Sequence, residues 1–219
     1  MRFSPTGLIG AVALAVSLVA GTAAAQEGGR GGGGRGGGPP APMKINIPGF
    51  PDGGVIPLKY ANVNAPTGSV SPAIEWSGVP ASAVTIALIF HDADVASRPS
   101  ASTLPGASAD DTLHWAIFNI PATATGLPEG VPHNVNLDDG SVQIKYADGV
   151  PRLAIGVTGY FGPSPPPGAP HHYVFDFFAL DTKLDPSINS REDLVKAMSG
   201  HVRAKGVYFG TYTSPPRAR

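Results

Sequence analysis

Histidine and aspartate side chains stand at the ends of several apolar runs in this sequence. Asp92 closes the run TIALIFHD, His114 lies near the start of LHWAIFNI, and His171 directly precedes HYVFDFFAL. Imidazole and carboxylate groups are versatile hydrogen-bonding groups, and together they can bind an anion or hold a metal ion. Because the three residues lie far apart in the chain, either function requires a fold that brings the ends of these runs together.

Strand periodicity predicts which of these side chains meet. Successive side chains of a strand point to opposite faces, so His171 shares a face with Tyr173, whereas His114 lies opposite Trp115. We predict that two imidazoles, a carboxylate and a phenol meet at the mouth of one sheet. The proline-rich loop 162–168 would form a rigid wall beside them, because each proline ring fixes its own φ angle.

The elements that must position these residues are mostly strands. Short apolar runs separated by Gly, Pro, Asn and Asp are typical of an all-β fold. TIALIFHD and HYVFDFFAL are apolar on both faces and are expected in the middle of a covered sheet. One helix is predicted over 191–199, capped by Ser190, with Leu194, Val195 and Met198 as its buried stripe. The predicted strands are 44–47, 55–60, 84–92, 113–120, 152–158, 172–179 and 207–213.

Composition excludes several classes of function. The chain of 219 residues has no cysteine, which excludes disulfides, thiolate metal sites and a cysteine nucleophile. Its formal net charge is −1 and it carries no cluster of Lys or Arg, so we expect no nucleic-acid partner.

The N-terminal segments differ in composition from the rest of the chain. Residues 1–25 are predicted to be a signal peptide, with a positive Arg2, an apolar stretch over 8–20 and the small-residue pattern 23–25 before cleavage. An uncleaved membrane anchor is the alternative, but the stretch is short against the ~20 residues that span a bilayer. Residues 26–42 are expected to be a disordered Gly/Pro-rich linker. The sequence thus predicts a periplasmic or secreted protein with no membrane span after cleavage.

Four motifs carry a family resemblance. They are SPAIEWSGVP at 71–80, the pair Asp92-x-Asp94, His114 followed by Asn-Ile-Pro at 119–121, and GPSPPPGAPHHYVF at 162–175. Together they resemble the phosphatidylethanolamine-binding proteins, and most closely the bacterial branch described as Raf-kinase-inhibitor-like. The resemblance covers roughly residues 45–212 and makes 43–219 one domain. It implies a mainly antiparallel all-β fold, in which a large central sheet packs on a smaller one with one or two short helices.

The resemblance also implies a ligand pocket. In this family the pocket holds phosphate-like anions and phospholipid head groups, and its motif positions here are Asp92, His114, Pro166, His171 and Tyr173. It implies no catalytic activity and no cofactor.

This chain departs from the family pattern at three positions. Ala93 and Ala96 replace prolines beside Asp92, which we expect to loosen the turn there. His172 replaces an arginine, which removes a fixed positive charge from the vicinity of the pocket.

Two functions from different classes follow from these residues. The first is an anion-binding protein in which His114, His171 and Tyr173 donate hydrogen bonds, with regulation of a partner protein, such as protease inhibition, as a further role. The second is a metal-dependent enzyme that uses His114, His171 and Asp92. The other histidines, His91, His133 and His201, are interpreted as structural. The sequence leaves open whether the protein forms a homodimer.

Overall fold

The computed structural model of the protein describes residues 42–62, 69–96, 111–145 and 158–216. The predicted signal peptide lies outside these residues, as does the predicted linker apart from Pro42. The strand predicted over 152–158 also lies outside them, except for Thr158. In the described part, no helix has the length and apolar character needed to cross a membrane.

Two antiparallel sheets form the fold, as predicted. The larger sheet has the strand order β6-β4-β3-β7-β8, and the smaller has the order β1-β2-β5. The only α-helix in the described ranges lies near the C-terminus. In chain order the elements are β1 (Lys44–Asn46), a 3-10 helix (Leu58–Tyr60), β2 (Ile74–Ser77), β3 (Thr85–Ala96), β4 (Asp111–Pro121), β5 (Gly126–Leu127), β6 (Val142–Gln143), β7 (His171–Leu180), α1 (Arg191–Met198) and β8 (Val202–Tyr212).

The central strands of the larger sheet are covered on both faces, which explains their apolar sequences. On one face, Phe90 of β3 and Phe177 of β7 pack in a core that also contains Trp76 of the smaller sheet. The Trp76 and Phe177 rings lie 6.0 Å apart. On the opposite face, Ile89 packs in a second core with the helix α1. The prediction that β3 and β7 lie in the middle of a covered sheet is confirmed.

The helix α1 begins where the sequence predicts. The amide of Asp193 donates to the Ser190 hydroxyl at 3.0 Å, which satisfies one of the free amides of the first turn. Leu194 and Met198 are buried against the second core. Val195, however, is 48% exposed, so its prediction as a buried residue is wrong. Because Val195 directly follows Leu194 in the helix, its side chain lies on a different face and points toward solvent.

Several strand predictions need correction. In the segment predicted as a strand over 55–60, Leu58–Tyr60 form the 3-10 helix and Val55 makes a single bridge to Thr211 of β8. The short strands β5 and β6 were not predicted, and β8 starts at Val202 rather than at residue 207. Pro57 precedes the helix with φ −61° and has no N–H, so it cannot donate to a strand ladder. Conversely, the IEWS segment of the motif at 71–80 forms β2, which the strand analysis missed.

Candidate functional site

A β-bulge in β4 turns His114 toward the core between the sheets. Phe90 pairs with Trp115 and His91 pairs with Leu113, so His114 is an extra residue opposite that step. Trp115 packs between the sheets and Leu113 packs on the opposite face, yet the His114 ring contacts Phe90 at 5.6 Å. A bulge re-aims side chains in this way. The prediction that His114 lies opposite Trp115 is therefore wrong, because strict alternation fails at the bulge.

The buried His114 ring is held in one tautomer. Its Nδ1 donates to the carbonyl oxygen of Phe161 at 2.8 Å, since a carbonyl can only accept. Burial is the largest influence on this ring, and it holds the pKa of His114 below its ordinary value. The ring is therefore neutral at neutral pH, with a lone pair on Nε2.

Asp92, four residues before the end of β3, orients His171 at the start of β7. The Asp92 Oδ2 atom accepts a hydrogen bond from His171 Nδ1 at 2.8 Å, and its Oδ1 atom accepts one from the Asp94 amide at 3.0 Å. Asp92 is buried and His171 is partly buried. Because Nδ1 is committed to the carboxylate, the remaining nitrogen of His171, Nε2, is the one that can meet a ligand.

Tyr173 lies between the two histidines. Its ring is 5.2 Å from that of His114 in an edge-on arrangement and 6.5 Å from that of His171 in a stacked one. The side chain is fully buried, and its hydroxyl makes no hydrogen bond of normal geometry in the described structure, although the Asp92 carboxylate and the Ser164 backbone lie close to it. Burial, and then the charge of Asp92, raise the pKa of Tyr173 well above its ordinary value. The hydroxyl therefore keeps its proton and can act only as a neutral hydrogen-bonding group.

The structure brings four of the five predicted site residues together. These four are Asp92, His114, His171 and Tyr173. The fifth, Pro166, lies in the loop between Phe161 and β7, where it is exposed while its neighbour Pro165 is buried.

At the positions that depart from the family pattern, hydrogen bonds between Asp94 and His172 connect the end of β3 to β7. The Asp94 carboxylate accepts hydrogen bonds from the amide of His172 at 2.5 Å and from its Nδ1 at 2.9 Å. These two bonds, the backbone one first, lower the pKa of Asp94. His172 is exposed and engaged on this outer side, away from the His171 ring. The Asp94 side chain therefore anchors this part of β3 to β7, next to the alanine at position 93.

Few charged side chains lie at the candidate site. No lysine or arginine of the described segments forms an ion pair with Asp92 or Asp94. Nor does this part of the chain contain three His, Asp or Glu side chains arranged to hold a metal ion.

Comparison with known proteins places this fold and these motifs in one family. The family model described as phosphatidylethanolamine-binding protein matches residues 46–213. The chain belongs to the phosphatidylethanolamine-binding protein family. A curated relative from Methanothermobacter thermautotrophicus, named only as a UPF0098 protein, is 40% identical over 171 residues, which is 78% of this chain and 98% of that one.

Two solved structures of family proteins have the same fold. A phosphatidylethanolamine-binding protein homologue from Chlamydia trachomatis is 30% identical, with a TM-score of 0.61, and the match covers 80% of this chain and 99% of that one. YbcL from Escherichia coli, described as a new member of the mammalian family, is 26% identical, with a TM-score of 0.63 and coverage of 80% and 100%.

One member of the site was missed by sequence reasoning. Phe161 accepts the hydrogen bond that sets the tautomer of His114. The accepting atom is a backbone carbonyl, which every residue type has, so no side-chain pattern could have indicated it. Its position directly before the GPSPPPG loop was the one available hint.

Proposed function

We propose that the protein binds a small oxyanion, either free phosphate or the phosphate group of a phospholipid head group, without turning it over. Membership of the phosphatidylethanolamine-binding protein family supports a ligand-binding role. The observation that carries the proposal is the buried Tyr173 hydroxyl, which makes no hydrogen bond of normal geometry, beside the imidazoles of His114 and His171. Buried polar groups are nearly always hydrogen-bonded, so an unpartnered hydroxyl beside two imidazoles suggests a place for a ligand.

The free atoms suit a singly protonated oxyanion. Tyr173 can donate its hydroxyl hydrogen to an anionic oxygen. Protonated His171 can donate through Nε2, while Asp92 balances its charge through Nδ1. Neutral His114 donates through Nδ1 and can only accept through Nε2, so it suits a ligand with a P–OH group, such as free phosphate or a lipid head group that ends in a phosphomonoester. This differs from the expectation that both histidines donate, because burial keeps His114 neutral.

Anion affinity should rise as the pH falls from about 7.5 to 5.5. Histidine side chains in general take up a proton between these pH values and then add a positive charge where an anion can bind. Burial lowers the pKa of His114 and so disfavours the charged form of that ring. We therefore expect His171→Ala to weaken binding of inorganic phosphate by about tenfold or more at pH 5.5, the loss of a hydrogen bond to a charged group. Tyr173→Phe should weaken it to a similar degree at both pH values.

Calorimetric titration with inorganic phosphate at the two pH values tests this proposal. His172→Ala is the matched control, because the His172 imidazole directly follows His171 in the chain but is exposed and paired with Asp94. It should leave phosphate affinity nearly unchanged. Affinity that is insensitive to pH and equal in all four proteins would contradict the proposal.

We further propose that the protein is exported and that the mature chain starts at Gln26. The apolar stretch before the small-residue pattern at 23–25 supports this. N-terminal sequencing of the protein recovered from the periplasm or medium should begin at Gln26. Recovery from the membrane fraction with Met1 intact would argue for an uncleaved anchor instead.

A further inference from the structure

Tyr212 of β8 lies beside the candidate site. It pairs directly with His171, the first residue of β7. Paired residues of antiparallel strands project from the same face with their Cβ atoms about 5 Å apart. Tyr212 is only 4% exposed and packs in the core between the sheets, the same core that contains Tyr173.

The hydroxyl groups of the tyrosines fall into two sets. Of the five tyrosines in the described residues, Tyr60, Tyr160 and Tyr208 each donate to an oxygen of the protein. The hydroxyls of Tyr173 and Tyr212 are buried without a partner. These two residues belong to the same end of the same sheet, and both neighbour His171. The shared location points to a common reason, which is a ligand that both hydroxyls contact.

The backbone around Tyr212 is held firmly. On the outer edge of β8, the amide of Thr211 donates to the Gly54 carbonyl at 2.8 Å, and the amide of Ile56 donates to the Thr211 carbonyl at 2.8 Å. On the inner edge β8 pairs with β7. Because its strand is hydrogen-bonded on both sides, Tyr212 offers a preorganised hydroxyl to a ligand.

The position of Tyr212 also indicates which part of a ligand it would meet. His114 is on β4 and Tyr212 is on β8, which are three strand spacings apart, roughly 14 Å between backbones. Tyr173 lies between them and its ring contacts that of His114. An oxyanion bound by Tyr173 and His114 would therefore leave Tyr212 for the substituent that the phosphate carries.

We propose that Tyr212 hydrogen-bonds the ester substituent of a phosphomonoester ligand, on the side of His171 away from His114. This inference rests on the proposed function and narrows its ligand from oxyanions in general to phosphomonoesters with a polar substituent. The substituent can be the glycerol unit of a lysophospholipid that ends in a phosphomonoester or that of a free metabolite, since both keep a free hydroxyl.

The test is calorimetric titration of the full chain with two probes, inorganic phosphate and glycerol 3-phosphate. Tyr212→Phe should weaken binding of glycerol 3-phosphate by about tenfold and leave phosphate binding unchanged. Its melting temperature should stay the same or rise, because the variant removes a buried hydroxyl without a partner. Vesicles that contain a lysophospholipid with a terminal phosphomonoester and a free glycerol hydroxyl then distinguish the lipid source from the free one.

Tyr208→Phe is the matched control. Tyr208 lies on the same face of β8 as Tyr212, and its hydroxyl donates to the Phe50 carbonyl. The control variant should lower the melting temperature and leave both affinities unchanged. The inference is overturned if Tyr212→Phe binds both probes like the wild type, weakens both equally, or melts as low as the control. If the wild-type protein binds neither probe, the proposed function itself fails. If His171→Ala weakens binding but Tyr212→Phe does not, only this inference fails.

Discussion

Replacing His91 with alanine should lower the free energy of unfolding by about 3 kcal/mol, the cost of breaking a buried ion pair from one side. His91 is buried on the face of the larger sheet opposite the candidate site. Its Nδ1 lies 2.5 Å from Asp111 Oδ2, and its Nε2 lies 3.1 Å from Asp176 Oδ2. Asp111 also pairs with Arg191 of α1, and Asp176 lies 3.7 Å from Lys205 of β8. The network therefore ties four strands to the helix.

The contribution of this network depends on pH in a definite direction. Burial, the largest influence on His91, favours its neutral form, but the hydrogen bonds with Asp111 and Asp176 outweigh burial and raise its pKa. A raised pKa contributes stability that is fully present below the ordinary value of about 6.5 and is lost as the pH rises through the folded-state pKa. The pKa values of Asp111 and Asp176 are lowered, so their contribution is lost on acidification instead.

Denaturant unfolding at several pH values measures both effects. Wild-type stability should fall from about pH 6 to pH 9, and this fall should be smaller in His91→Ala. His201→Ala is the control, because that imidazole is half-exposed and pairs with Asp181 at the surface. It should cost at most about 1 kcal/mol. Equal losses in the two variants, or an unchanged pH slope in His91→Ala, would show that the network does not act as described.

Gly162→Ala should cost about 3 kcal/mol, at the upper end of the range for overpacking a core, and should also weaken phosphate binding. A Cβ atom at this position would lie 2.1 Å from the Tyr60 carbonyl oxygen and 2.7 Å from the Ser69 hydroxyl. The first neighbour is backbone and cannot rotate away, so the segment that starts the proline-rich loop must shift. That shift would withdraw the carbonyl of Phe161, the preceding residue, from His114.

Thermal melting and phosphate titration on the same variant measure this effect. Ser164→Ala in the same loop is the control, because Ser164 is exposed and its side chain can be shortened without a steric conflict. It should change neither quantity by much. A Gly162→Ala protein with wild-type stability and affinity would mean that the loop tolerates displacement and does not set the geometry of His114.

The motif identifies Asn119 as a residue of the family pattern but does not reveal its structural role. The sequence marks it as part of the Asn-Ile-Pro motif, which helped to establish the family. In the structure its buried side chain donates to the Leu184 carbonyl at 2.9 Å and accepts from the Leu184 amide at 2.8 Å. Its φ of 59° belongs to the left-handed region, which asparagine tolerates better than most residues. The partner is 65 residues away in the sequence, so no local pattern could predict this contact.

The sequence by itself determined the class of fold, the central strands and the family. Apolar runs on both faces of a strand require cover on both faces, and this holds wherever β3 and β7 are placed in the sheet. The motifs around Asp92, His114, His171 and Tyr173 also named the residues that converge at one sheet end. The covered strands follow from residue type and a period of two, which are local properties of the chain, whereas the family and the site residues follow from the resemblance of the motifs.

Only the tertiary structure decided how those residues face one another. The bulge at His114 arises from the register between β3 and β4, which depends on the pairing of two separate strands. The tautomer of His114 depends on a carbonyl 47 residues away, and its neutral state depends on burial under aromatic rings. The unpartnered hydroxyls of Tyr173 and Tyr212 become visible only when every neighbour is in place, because a missing hydrogen bond is a property of the whole packed core.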